Sequence, residues 1–318
     1  MNAKVSIVIP VYKAKDTIDR CVSSLLEGTY RNIEVILVED CSEDGTYEVC
    51  KGLESRYAQV ICIQNEKNHG VSYTRNQGLK KATGTYLMFV DSDDWVEPDF
   101  VEKMAPLCKE DETCMPICGY VNHDEKKNGR TDLFLWSQEQ KIETVPVKDT
   151  IVKLYEKRML QIIWNKVFLV KTIKENQIKF DEHICIGEDF RFLLDYMKCQ
   201  KIEQFKFLNL PLYHYSRDNE NSLMSRLLEI GIEEPMKNFR KMYEFTKKSP
   251  EEIERLLEKE YEKQLEYYAY LIVHDRHLSK AEKREKVQAL SNDKAEELYR
   301  KHRKLFYKEK IMKIMRRY

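Results

Sequence analysis

Four short apolar runs, Val5 to Ile9, Glu34 to Val38, Val60 to Ile63 and Tyr86 to Val90, recur in the first third of the chain with helical patterns between them. That alternation constrains the fold more than any other feature. The runs are too short for core helices and apolar enough for the buried strands of a parallel sheet. Asp16 to Leu26 puts Ile18, Cys21, Val22 and Leu25 on one helical face, and Thr46 to Tyr57 does the same with Tyr47, Cys50, Leu53 and Tyr57. A third helical pattern follows Gly70. A fourth begins near Pro98, where proline suits a first turn, and carries Phe100, Val101, Met104 and Leu107. Strand and helix in strict alternation mean βαβ units and a three-layer α/β/α domain of Rossmann-like type. Ligands of such sheets bind beyond the carboxyl ends of the strands. The loops there are Pro10-Val11-Tyr12, Glu39-Asp40-Cys41-Ser42 and Asp91-Ser92-Asp93-Asp94.

A chain of 318 residues has room for one large catalytic unit and a smaller appendage. The alternation loosens from about Pro146, and beyond Ser225 Lys, Glu, Tyr and Leu take over with helical spacing, as at Ile253, Leu256, Leu257 and Tyr261. The expected division is therefore a catalytic domain over 1–225, with a donor half at 1–105 and an acceptor half at 106–225, followed by a helical region at 226–318. Lys and Arg (54) balance Asp and Glu (54), which removes any general pull toward nucleic acid. The first apolar run is too short for a signal-peptide core or a membrane span, so a cytoplasmic location is expected. Nine cysteines lie scattered over strand and helix positions and read as reduced thiols. Cys108, Cys114 and Cys118 lack the paired spacing and neighbouring histidines of a zinc site.

Asp91 and Asp93 stand two apart at the end of an apolar run, and in an extended chain both carboxylates would share one side, with Ser92 and Asp94 on the other. Two such carboxylates suit a hard divalent cation, Mn²⁺ or Mg²⁺, that bridges to phosphate oxygens. Asp93 is the firmer ligand; Asp91 is read as a second ligand or as a partner of a ribose or of Arg75. Asp40 is placed to accept the imide N–H of a uracil flanked by Pro10, Val11 and Tyr12. Arg75, one turn into the third helix, is placed to reach a donor phosphate or to orient Asp91.

Ser6 to Tyr12, Glu39 to Asp44, Gly70 to Asn76 with Gly78, and Ala82-Thr83-Gly84 leading to Asp91 to Trp95 together closely resemble family 2 glycosyltransferases of GT-A fold. The resemblance covers residues 4 to 105 and resumes at Trp164-Asn165-Lys166, Gly187-Glu188-Asp189 and Tyr213-His214-Tyr215. Lys13, Glu39 and Cys41 depart from residues frequent in that family, Asn, Asp and Gly respectively. The resemblance implies an inverting transfer from a nucleotide-sugar donor, with a UDP-sugar favoured because Asp40 suits its imide, to a glycan or lipid-linked acceptor. It implies Asp189 as the general base and Glu188 facing the acceptor. Ser92 is read as a donor contact, as are Arg217 and Ser222, which lie in a loop placed to close over the donor. His214 is a candidate third metal ligand or diphosphate contact, or a packed core residue. Trp164 either stacks on an acceptor sugar or fills the core.

Residues 301–318 carry eight Lys and Arg against Glu309, interleaved with Leu305, Phe306, Ile311, Met312, Ile314 and Met315. Such a basic amphipathic end is suited to peripheral contact with an anionic membrane surface, or to packing on protein with a solvated basic face. Two other readings compete. A nucleotidyltransferase making nucleotide sugars needs a glycine-rich loop after the first strand, and Pro10 to Lys15 contains no glycine. A catalytically inactive nucleotide-binding scaffold would not require both the acidic pair and Asp189.

Overall fold

The structure is a computed structural model that describes residues 3–110, 112–124, 130–139, 141–184, 187–216, 233–274 and 278–290. Arg217, Ser222 and the basic stretch 301–318 lie outside the described residues.

Strands β1 (Val5–Val11), β2 (Ile33–Glu39), β3 (Val60–Gln64) and β4 (Tyr86–Phe89) run parallel in the order β3-β2-β1-β4. The short β9 (Phe168–Leu169) adds antiparallel to β4. Helices α1 (Ile18–Leu26), α2 (Thr46–Arg56) and α3 (Val71–Lys81) make the crossovers. β1 and β2 are buried on both faces, as their unbroken apolar runs require. β3 departs from that pattern: it is the edge strand, and Ile61 is exposed. Of the face assigned to α2, Cys50 and Leu53 are buried, while Tyr47 and Tyr57 are only half-buried. Because chain order turns back between β1 and β4, the crevice of this sheet opens above that pair.

Glycine sets how closely the layers approach. A Cβ on Gly84 would lie 2.7 Å from Lys4 O and from Ser6 N. Both are backbone atoms of the strand entry and cannot swing aside. Gly84→Ala is expected to cost about 1–3 kcal/mol through overpacking, read as a lower midpoint in urea unfolding. An unchanged midpoint would show that this strand entry has slack.

The loosening of the alternation comes earlier than Pro146. After α4 (Phe100–Met104) and α5 (Leu107–Glu110), the chain enters β6 (Cys114–Asp124), β7 (Arg130–Phe134) and β8 (Ile142–Pro146), all members of a second, mixed sheet. Its spine is the 13-residue β10 (Gln204–Ser216), which pairs with β6 in parallel and with β8 and the two-residue β5 (Trp95–Val96) antiparallel. The β5 pairing brings the chain just after Asp91–Asp94 against Tyr213 and His214. Helices α6 (Val147–Glu156), α7 (Val170–Glu175) and α8 (Glu188–Gln200) complete this part.

The chain forms two compact units, Met1–Glu220 with Phe245–Lys247, and Asn221–Glu244 with Lys248–Tyr318. Within the second, α9 (Glu233–Tyr243), α10 (Pro250–His274) and α11 (Lys280–Leu290) bury Phe239, Met242, Leu257, Leu265, Tyr268, Ile272 and Val287. The apolar stripe of α10 runs through Leu257, Leu265, Tyr268 and Ile272 and leaves Tyr261, expected on it, exposed. No described helix is long and apolar enough to cross a membrane.

Candidate active site

The Asp91–Asp94 segment is not extended. β4 ends at Phe89, and Asp94 N–H donates to Asp91 O at 3.1 Å, which closes a tight turn. The alternation expected of these four side chains therefore does not hold. Instead Asp94 is fully buried while Asp91, Ser92 and Asp93 are half-buried. The turn still gathers negative charge. Burial pushes the Cys21 thiol on α1 well above its usual value, and Asp94, Asp93 and Asp91 push it further. Burial, then Asp93 and Asp91, likewise raise the Asp94 carboxyl. Arg20, also on α1, donates to Asp93 O at 2.7 Å and lies 4.1 Å from the centre of the Trp95 ring.

Arg75, on α3, is the hub. It is 4% exposed, and its guanidinium donates from Nη1 to Asp189 Oδ1 at 2.7 Å and to Glu188 Oε1 at 3.3 Å, and from Nη2 to Asp91 Oδ1 at 3.1 Å. Its carbon centre lies 5.4 Å from the Phe180 ring. Phe180 in turn stacks on Phe192 at 4.2 Å, and its backbone is clamped by the Asn76 amide with two 2.9 Å bonds. One guanidinium thus joins the turn after β4 to the first turn of α8, which starts at Gly187 with φ of +84°. Burial alone would lower the Arg75 pKa, but Asp189, Asp91 and Glu188 hold it above its usual value. Burial raises the carboxyls of Asp189 and Glu188, and Arg75 opposes the rise without cancelling it. Asp189 Oδ1 is taken by Arg75, while Oδ2 has no hydrogen-bond partner among the described residues. The side chain is 17% exposed.

Asp40 is held by the protein's own backbone. Its carboxylate is 3% exposed and accepts Asn65 Nδ2 at 2.7 Å, His69 N–H at 3.0 Å and Gly70 N–H at 2.8 Å. It therefore fixes the Asn65–Gly70 loop. His69 N–H also reaches Oδ2 at 3.2 Å, so each carboxylate oxygen already accepts two contacts, its usual capacity, and the open acceptor expected of Asp40 for an imide is engaged by the protein itself. Glu39, fully buried where aspartate is frequent in the resembling family, caps its own turn by accepting Ser42 N–H at 2.6 Å and Cys41 N–H at 3.2 Å. Cys41 and Lys13 sit at φ of +59° and +49°, conformations that glycine and asparagine adopt at lower cost. Tyr12 is exposed, following half-buried Pro10 and buried Val11.

Two expected site residues are placed otherwise. Trp164 does not face an acceptor. It is 4% exposed, stacked 4.1 Å from Tyr213 and edge-on to Tyr120 at 4.8 Å, because the parallel ring of β10 offers it a complete apolar seat. His214 is not turned to the acid pair: its Nε2 bonds Glu97 Oε1 at 2.8 Å, its Nδ1 bonds His123 at 2.9 Å, and its ring stacks on Trp95 at 5.0 Å. With both ring nitrogens engaged, the metal reading rests on Asp91 and Asp93.

Lys166, named above within Trp164-Asn165-Lys166 but given no role, is wholly buried and donates to Met159 O, Ile162 O and Asn165 Oδ1 at 2.6–2.8 Å. Burial pulls it down to about 7. Its three acceptors match the three donors of an ammonium, so it ties the Met159–Asn165 segment together. Asp94 and Tyr213 also carry more than the sequence showed: Tyr213 Oη donates to Asp94 Oδ2 at 2.6 Å. Their adjacency to Asp93 and His214 was the only signal.

The donor set can be weighed against the implied cation. Among the described residues no group of three or more His, Cys, Asp and Glu side chains converges to hold a metal. The acid turn supplies two carboxylates, and Asp91 Oδ2 has no hydrogen-bond partner among the described residues. That suits Mg²⁺ or Mn²⁺, which takes one or two protein carboxylates and completes its shell with phosphate oxygens and water.

Known proteins agree with this architecture. Residues 6–175 match the model of Glycosyl transferase family 2. EpsJ of Bacillus subtilis, described as an uncharacterized glycosyltransferase, is 30% identical over 220 residues, 69% of this chain and 62% of that protein. The match thus spans less than two thirds of EpsJ. WfaP of Escherichia coli, named as a UDP-Glc:alpha-D-GlcNAc-diphosphoundecaprenol beta-1,3-glucosyltransferase, is 44% identical over 93 residues, 29% of this chain and 36% of that protein. Residues 1–349 of S. aureus TarS, solved in complex with UDP-GlcNAc, superpose with a TM-score of 0.63 at 18% identity, covering 96% of this chain and 92% of that one. That likeness establishes the GT-A fold with a helical C-terminal region. The sheet order, the acid turn and the family match lead to one assignment: this chain belongs to glycosyl transferase family 2.

Proposed function

We propose that the chain transfers a sugar from a UDP-sugar to a hydroxyl of a glycan or lipid-linked acceptor in cell-surface polysaccharide synthesis, inverting the anomeric carbon. The observation that carries this reading is the Arg75 hub, which ties an acidic turn at the sheet crevice to a buried carboxylate pair with one oxygen left open. A hydroxyl is a poor nucleophile, so a carboxylate must take its proton as the new bond forms. Asp189 Oδ2 is suited to that task. Its carboxyl is raised by burial, which makes it a stronger base than an ordinary aspartate. Glu188 lines the acceptor side of the pair. Asp91 and Asp93 would hold Mn²⁺ or Mg²⁺, which neutralises charge on a departing diphosphate. Tyr12 and Pro10 flank the base, and Asp40 fixes the Asn65–Gly70 loop that borders the donor. The names of WfaP and TarS point to UDP-sugar donors, and WfaP to a lipid diphosphate acceptor.

A screen of nucleotide sugars for Mn²⁺-dependent hydrolysis, reading released nucleoside diphosphate, tests the proposal. Release from a UDP-sugar supports it. Binding of a donor without release favours the inactive scaffold, and neither release nor binding with any donor sinks both readings.

A further inference from the structure

Asp94 is the one carboxylate of the acid turn that no substrate can reach. It is 0% exposed, and among the described residues it has no cation partner. A buried carboxyl beside two further carboxylates is costly, and its hydrogen bonds offset only part of that cost. If it served only to fill space, an apolar residue of similar size would do so at lower cost. Its bonds show what it holds. Oδ2 accepts Tyr213 Oη–H at 2.6 Å, and Oδ1 accepts Ser216 N–H at 2.8 Å. Tyr213 Oη in turn accepts Asp91 N–H at 3.1 Å. Asp94 N–H closes the ring by donating to Asp91 O at 3.1 Å, where the Cys21 thiol also donates at 3.5 Å. Every link of this ring is a directional bond between groups of fixed position. Tyr213 is fully buried and wedged against Trp164, and Ser216 ends the spine strand of the second sheet.

We infer that Asp94 and Tyr213 are positioning residues: their closed ring of bonds through the Asp91 backbone fixes the acid turn, and with it Asp91 and Asp93, in the geometry that binds a divalent cation. The inference rests on the metal reading proposed above. It accounts for a buried carboxyl that neither base recognition nor proton transfer uses. It also assigns the second sheet a task in the chemistry, since β10 supplies two of the three partners. A metal site left 1 Å loose loses affinity even when its ligands are present.

The test titrates Mn²⁺ into the whole chain with UDP present and no acceptor, following the free-ion electron paramagnetic resonance signal. Tyr213→Phe keeps the ring stacked on Trp164 while deleting the central link. It is expected to weaken Mn²⁺ binding about tenfold, the scale of one hydrogen bond to a charged group, with a melting temperature near that of the unsubstituted protein. Asp94→Asn is expected to weaken binding at least as much. Mn²⁺ affinity unchanged in Tyr213→Phe overturns this inference alone. Absence of Mn²⁺ binding by the unsubstituted protein overturns the metal reading, and this inference with it.

Discussion

Arg75→Met is expected to destabilise the protein by about 3–5 kcal/mol, the range for removing one member of a buried charge network, and to abolish sugar transfer. The guanidinium is 4% exposed and is the partner common to Asp91, Glu188 and Asp189. Methionine fills much of the volume over Phe180 but leaves three carboxylates facing one another in a site largely closed to water. The effect has a distinctive pH dependence. Carboxyls raised above their unfolded values bind more protons in the folded state, so stability falls as pH rises through the interval between those values. Without Arg75 the rise is larger and the fall steeper. The deficit of Arg75→Met should therefore be greatest near neutrality and shrink in mild acid, where the carboxyls are protonated and their repulsion vanishes. Arg75→Lys separates charge from shape. It restores one positive charge, but a single ammonium cannot reproduce the fork whose Nη1 meets α8 while Nη2 meets the acid turn. Part of the stability should return and little of the activity. Urea unfolding across a pH series checks these outcomes, and a substituted protein as stable as the original at pH 7 would show that the hub is not structural.

That hub explains which parts of the site were legible in the sequence. The sheet of β1–β4 was, because each strand is a continuous apolar run bounded by amphipathic helices, and period and length alone separate such runs from helices. β3 was legible as a strand but not as an edge, since burial on one face depends on what lies beside it. The second sheet was hidden for a different reason. β6 carries Pro116 and Gly119 in its interior and ends in Asn122-His123-Asp124, and β10 carries Pro211 at a register shift. Proline and glycine argue against a central strand when only the sequence is in view. Here the register between β6 and β10 shifts on either side of the Gly119–Pro211 pair, while Pro116 stays in register opposite Lys206. The carboxylates were visible as motifs, and the choice of Arg75 as orienter of Asp91 came from its place one turn into α3. That the same guanidinium also grips Glu188 and Asp189, more than a hundred residues away, is a tertiary fact with no local signature. The same holds for the aromatic and histidine placements. Trp164 and His214 each carry a side chain apt for ligand contact, and what decides against it is the availability of Tyr213, Tyr120, Glu97 and His123 as neighbours.

Asp189→Asn should reduce sugar transfer by about 10²–10⁴-fold, the contribution of a positioned general base, while leaving UDP-sugar affinity nearly unchanged. The substitution is isosteric, and an amide oxygen still accepts the 2.7 Å bond from Arg75 Nη1. One of the three mutually repelling acids around Arg75 is removed, so the variant is expected to melt no lower than the original protein. Loss of rate without loss of fold or donor binding is the signature of chemistry, and each quantity is measured separately: transfer by product formation, donor binding by calorimetry, fold by thermal melting. Glu188→Gln is the control that assigns roles within the pair. Glu188 is the less exposed of the two, 9% against 17%, and its bond to Arg75 is the longer, 3.3 Å against 2.7 Å. A base must reach the acceptor hydroxyl, so exposure favours Asp189, and Glu188→Gln should act mainly on the acceptor KM. If Glu188→Gln instead lost the greater part of kcat while Asp189→Asn kept it, the two roles would exchange. If both variants transferred sugar at the original rate, the proton would have to leave through another group, and the open oxygen of Asp189 would be no more than a solvent-facing edge of the Arg75 network.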